Sequence, residues 1–156
     1  MRAIIAVASL LLAMITTVRA APLPDGGVTV DEVADVMRGQ HLPVDLTKDS
    51  DGDPLIHSQV NDIKFHVYFY ECNPQKRCQS IQFYAGWTTK GLSPERINTW
   101  NRTKRFGRAY LDRDIEPCVE MDMDLQHGAT TQAVANDFAR WQLVMKTFKN
   151  FIGEGD

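Results

Sequence analysis

An antiparallel β-sheet carrying three helices, in the order α-β-β-β-β-α-β-β-α, is the α+β fold that the sequence predicts. Three observations predict it. Stretches that alternate apolar and polar residues are separated by turn-forming segments, DSDGD, Asn61-Asp62, NPQKR and DRDIE. Three other stretches repeat apolar residues every three or four positions between start and stop signals. Two neighbouring hairpins, registered independently, place one consistent set of side chains on one face.

Residues 21–28 read as a flexible Pro/Gly-rich leader, and residues 29–153 as one domain. The first helix starts at Thr29, which has the T-x-x-E spacing of a capping box with Glu32. Val30, Val33 and Met37 share its apolar face, and Gly39 closes it. Pro43 to Thr47, Pro54 to Val60, Ile63 to Cys72 and Cys78 to Trp87 form an antiparallel meander. In the second helix Ser93 is the N-cap, Pro94 the first helical residue, and Leu92 with Ile97 a hydrophobic staple, with the end expected near Arg105 or Phe106. Gly107 to Asp112 and Pro117 to Leu125 make a further hairpin. Val134, Phe138, Trp141, Met145, Phe148 and Ile152 line a long amphipathic helix that stops at Gly153.

A two-residue turn at Asn61-Asp62 pairs Val60 with Ile63, Ile56 with Val67, and His57 with His66. Placing Cys72 opposite Cys78 pairs Phe69 with Ile81, Val67 with Phe83, Tyr70 with Ser80 and His66 with Tyr84. A one-residue slip in either hairpin would mix the faces. The same register predicts a Cys72–Cys78 disulfide, worth roughly 2 kcal/mol for so short a loop in the chain-entropy model. Two free thiols at strand ends are the alternative. Cys118 is left as a semi-buried thiol.

Residues 1–20 place Arg2 before the apolar run Ala3 to Ile15, with Val18 and Ala20 as small residues at a cleavage site. As a helix that run rises about 20 Å, short of a hydrocarbon core of about 30 Å. The expectation is a cleaved secretory signal peptide, a periplasmic chain starting near Ala21, and no membrane segment afterwards. Without residues 1–20, 15 basic and 20 acidic residues remain, a net charge of -5. That balance argues against nucleic acid, although Arg96 to Asp114 interleaves basic and aromatic residues as a nucleic-acid element does.

Candidate chemistry is sparse. The turn Asp49, Ser50, Asp51, Gly52, Asp53 resembles a calcium loop with its glycine one place early and Val60 where a bidentate Glu belongs, so it reads as a turn. His57 and His66 could begin a metal site but lack a third ligand in the pattern. His41 and His127 have no metalloprotease spacing. Glu120, Asp122 and Asp124 alternate on an outer sheet face, where solvation is the ordinary reading, balanced in part by Arg108 opposite Glu120. Asn101-Arg102-Thr103 has the form of a glycosylation sequon within a helix. No catalytic residue, metal ligand or cofactor site is assigned. What remains is a surface: Tyr68, Tyr70, Tyr84 and Tyr110, with His57 and His66, project from the face opposite the core. Contact with a protein partner, a second copy of the chain included, would explain them, and so would strand propensity.

The motifs DSDGDPLIHS, FHVYFYECNPQKRCQSIQFYAGW and INTWNRTKRFGRAYLD together resemble the YbjN-domain family of bacterial sensory transduction regulators, in its exported proteobacterial branch. The likeness is strongest over Ile97 to Asp112, through Asn98, Asn101, Trp100, Arg105-Phe106 and Tyr110-Leu111. It implies a fold similar to type III secretion chaperones and a non-enzymatic role in binding or envelope regulation. It also implies that the basic-aromatic stretch is a structural junction, with Ile97, Trp100 and Phe106 turned to the core. A small-molecule or metal-binding periplasmic protein is the alternative.

Overall fold

The computed structural model describes residues 20–153, so the expected signal peptide lies outside the described residues apart from Ala20. In chain order the elements are β1 (Pro22–Leu23), α1 (Val30–Gly39), β2 (Asp45–Lys48), β3 (Pro54–Val60), β4 (Ile63–Cys72), β5 (Cys78–Gly86), α2 (Pro94–Thr103), β6 (Arg108–Leu111), β7 (Pro117–Asp124), β8 (Ala129–Thr130) and α3 (Thr131–Ile152). The predicted helices and long strands are all present. Two short strands, β1 and β8, are additional.

The main sheet has the order β2-β3-β4-β5-β7-β6, with antiparallel neighbours throughout. The meander β2 to β5 is local. From β5 the chain passes through α2 to the far edge, and β7 then returns between β5 and β6. Every cross-strand pair expected from sequence is found, from Val60 opposite Ile63 to Cys72 opposite Cys78 and Arg108 opposite Glu120. The first turn works because Asn61 and Asp62 both take positive φ, 46° and 62°, the twist that a two-residue hairpin needs. Cys72 and Cys78 are joined in a disulfide.

One face of the sheet packs against all three helices. Phe65, Val67 and Phe69 of β4, Ile81 and Phe83 of β5 and Val119 of β7 meet Val33 and Met37 of α1, Ile97 and Trp100 of α2, and Phe138, Trp141 and Phe148 of α3 in one buried cluster. The Phe83 ring stands edge-on to Phe138 at 4.9 Å, and Trp100 edge-on to Phe148 at 4.9 Å. The helix starts follow their sequence signals. Thr29 and Glu32 form the reciprocal capping box, and Ser93 accepts from the Arg96 N–H ahead of Pro94.

Three expectations are corrected. Residues 21–28 are not a loose leader: β1 pairs with β8, Leu23 is buried, and Val28 is fully buried and bridges to Cys78. Gly27 is needed there, because its φ is +98° and a Cβ would lie 2.1 Å from the Cys78 carbonyl oxygen. The second helix ends at Thr103, with Lys104 as its extended C-cap, rather than at Arg105 or Phe106. As a result Phe106 does not turn to the core. It is 42% exposed and lies between the guanidinium groups of Arg105 and Arg140, 5.2 and 4.7 Å from its ring centre. Ile97 and Trp100 are buried as expected.

Candidate functional site

Because the helices share one face, the opposite face of the sheet carries no layer of described residues. Strand alternation puts Tyr68, Tyr70 and His66 of β4 there, with His57 of β3, Tyr84 of β5 and Tyr110 of β6. The structure brings five of these six into a contiguous aromatic cluster. His57 and His66 stand edge-on with ring centres 4.5 Å apart, and His66 stacks on Tyr84 at 6.1 Å. Tyr68 lies 6.1 Å from His66, 6.1 Å from Tyr84 and 6.4 Å from Tyr70. Tyr110 stands apart from these rings, opposite Cys118 in the β6–β7 pair.

A row of directly opposed residues crosses the whole sheet on this face: Asp45, His57, His66, Tyr84, Glu120 and Arg108. Its far end is closed by an ion pair between Arg108 and Glu120. Glu120, expected to be a solvated outer-face acid, is only 5% exposed because that pairing and the neighbouring strands cover it. Asp122 behaves as expected and stays exposed, accepting from the Gln82 amide, while Gln82 accepts from the Tyr70 hydroxyl. Cys118 is buried rather than semi-buried, and its sulfur shares a 3.0 Å hydrogen bond with the Tyr84 hydroxyl. Alternation alone placed both residues on this face. Arg108 opposite Glu120 was read from the hairpin, but the burial also depends on β5 lying along β7, with Tyr84 opposite Glu120 and Gly86 opposite Cys118, a pairing that the sequence did not reveal.

The electrostatics favour neutral groups. Burial pushes the Tyr84 phenol up, and its bond to Cys118 pushes it further; burial and the nearby Glu120 carboxylate do the same for Tyr110. Burial likewise raises Tyr68, Tyr70 and the Cys118 thiol. His66 is shifted down by burial and then by His57, and its Nδ1 is buried without a hydrogen-bond partner. At neutral pH the face therefore presents phenols, a thiol and a neutral imidazole.

The acidic turn spends its carboxylate internally. Asp49 Oδ1 accepts from the Asp51 and Asp53 N–H groups, each at 2.9 Å, as a loop-closing Asx turn does. No group of three or more His, Cys, Asp or Glu side chains with metal-binding geometry occurs among the described residues. The basic stretch is also engaged within the fold. Arg96 bonds the Phe151 carbonyl and lies over its ring, Lys104 lies 5.9 Å above Trp100, and Arg108 holds Glu120. At the junction itself Trp100 Nε1–H donates to the Gly107 carbonyl at 2.9 Å. Asn98 and Arg105 are exposed. Asn101 uses its side chain in both directions, donating to the Ala109 carbonyl at 3.0 Å and accepting from the Ala109 N–H at 2.9 Å.

This is a two-layer α+β domain with helices on one side and an open, tyrosine-bearing sheet face on the other, built around a helix-to-strand junction. The chain belongs to the YbjN family, whose description reads "Putative bacterial sensory transduction regulator" and whose model matches residues 29–154. No curated protein and no solved structure matches it.

Proposed function

We propose that the chain is a non-enzymatic, exported regulatory protein that acts in the periplasm by binding another protein through its open sheet face. The observation that carries this reading is the cluster of Tyr68, Tyr70 and Tyr84 with His57 and His66 on a face that the helices leave uncovered. Tyrosines held in a strand offer broad apolar contact and a polar tip at small entropic cost, the properties of interface anchors. The shift of these groups toward their neutral forms favours contact over acid–base chemistry. Export draws its support from Arg2 and the apolar run after it, together with a disulfide that an oxidising compartment would maintain.

The test is in-cell crosslinking from Tyr68, Tyr84 and Tyr110 in turn. A discrete band from these positions identifies the partner. Strong crosslinks from Asn98 or Arg102 with none from the tyrosines would transfer the interface to α2 and end the role of this face. A second reading, metal or small-molecule capture by His57 and His66, draws on their close rings and the unpartnered His66 Nδ1. About one zinc per chain, lost when both residues become alanine, would replace the first reading with the second.

A further inference from the structure

The sheet has two edges, β2 and β6, and the chain treats them differently. Both lead into the same kind of loop. In the β6–β7 loop the Asp112 N–H bonds the Glu116 carbonyl, so hydrogen-bonded and non-bonded pairs alternate from that point. Leu111–Pro117 is then non-bonded, Tyr110–Cys118 bonded and Ala109–Val119 non-bonded. The N–H and C=O of Ala109 consequently point out of the sheet, and the Asn101 side chain takes both. Asn101 thereby stands in for a further strand and seals that edge.

The β2–β3 loop imposes the same alternation at the other edge. The Asp49 N–H bonds the Asp53 carbonyl at 3.0 Å, which leaves Lys48–Pro54 non-bonded, Thr47–Leu55 bonded and Leu46–Ile56 non-bonded. Leu46 and Lys48 therefore turn their backbone groups outward, Leu46 at the position equivalent to Ala109. No described residue takes those groups. All four residues of β2 are exposed, and Leu46 keeps 43% of its surface in water.

We propose that β2 pairs antiparallel with β2 of a second copy, about a twofold axis at Leu46. Directly opposed residues in a continuous sheet must share a face, which restricts the register to shifts of two. With Leu46 opposite Leu46, each residue's outward N–H and C=O bond the other copy, and the two exposed side chains cover each other. Asp45 then faces Thr47, and Lys48 faces Val44, so no like charges meet. The next allowed register sets Asp45 against Asp49 of the other copy on both sides of the axis, a repulsive arrangement. The pairing joins the two open faces on the same side of one continuous sheet. A strand this short gives a weak, concentration-dependent dimer rather than an obligate one.

Sedimentation equilibrium of the disulfide-bonded protein over a concentration series tests the pairing, beside Leu46→Lys and Leu46→Pro. Lysine at the axis brings two charges together. Proline removes only an N–H that the protein's own sheet does not use. The wild-type mass should rise toward twice that of the single chain. Both variants should hold the single-chain mass with an unchanged far-UV spectrum, and should Leu46→Pro perturb the fold, Leu46→Lys carries the comparison. A wild-type protein that stays monomeric to sub-millimolar concentration, or a Leu46→Lys protein that dimerises as wild type does, would overturn the proposal. So would a monomer that adds a strand only from a foreign peptide.

Discussion

Ile115 occupies a conformation that its side chain disfavours. Its φ is +60°, at the position where Gly52 and Lys76 take φ of 89° and 60° in the two comparable hairpin loops. Each of these loops opens on Asp or Asn, whose side-chain oxygen accepts from the N–H four residues on: Asp49 from Asp53, Asn73 from Arg77, Asp112 from Glu116. The loop geometry thus sets the fourth position in the left-handed region whatever residue is there. A β-branched residue in that region costs about 1–2 kcal/mol, and Ile115, 59% exposed, has little packing to offset it. Ile115→Asn should therefore raise the stability measured by urea unfolding by about 1 kcal/mol. An unchanged midpoint would mean that the isoleucine makes compensating contacts. At this scale the sequence was partly legible. DSDGD and NPQKR announced turns by composition, whereas the strain at Ile115 appears only when the three loops are seen to share one conformation. The core position that the family resemblance implied for Phe106 fails because the helix ends at Thr103, and Phe106 follows it on the exposed side of the junction.

Hairpins were the most legible elements. Their registers depend on a turn and on the alternation beside it, both within a few residues of sequence, and the disulfide followed because Cys72 and Cys78 fall in one such pair. The helix-to-strand junction was legible as a motif but not in its mechanism. Trp100 and Asn101 both reach across the turn to the backbone, at Gly107 and Ala109. Gly107 is required between them, since its φ is +77° and a Cβ would lie 2.6 Å from Val144 Cγ1. Asn101→Ala would leave two backbone groups of the buried Ala109 without partners, a loss of about 1–3 kcal/mol. Denaturant unfolding should show that loss in Asn101→Ala and almost none in the neighbouring, exposed Arg102→Ala. Equal effects would remove Asn101 from its edge-sealing role.

Over the whole molecule, the N-terminal segment belongs to the domain. Leu23 and Val28 enter the buried cluster, the Gly26 N–H bonds the Gln126 carbonyl, and the Thr131 N–H bonds the Ala21 carbonyl where α3 begins. A chain shortened to begin at Val28 should lose about 2 kcal/mol, the contribution expected from burying one leucine side chain. Calorimetry would show the lower melting temperature, and an unchanged transition would restore the segment to the status of a leader. Its Pro and Gly content suggested looseness because those residues weaken helices and strands. Here Gly27 serves a closely packed path along the Cys78 backbone, where a side chain would clash.

The sequence by itself determined the class of fold, the order of the three helices and the long strands, the registers of the β3–β4 and β4–β5 hairpins and the faces that carry Tyr68, Tyr70, Tyr84, His57 and His66. These depend on periods of two and 3.6 residues and on local turns, which short segments encode. Only the tertiary structure decided that β7 inserts between β5 and β6, that Glu120 and Cys118 are buried on the otherwise open face, and that Asn101 seals one edge while Leu46 leaves the other free. Each of those outcomes joins residues through contacts made when separate elements dock. A residue's own segment records its face and its period, but not the neighbour that will cover it.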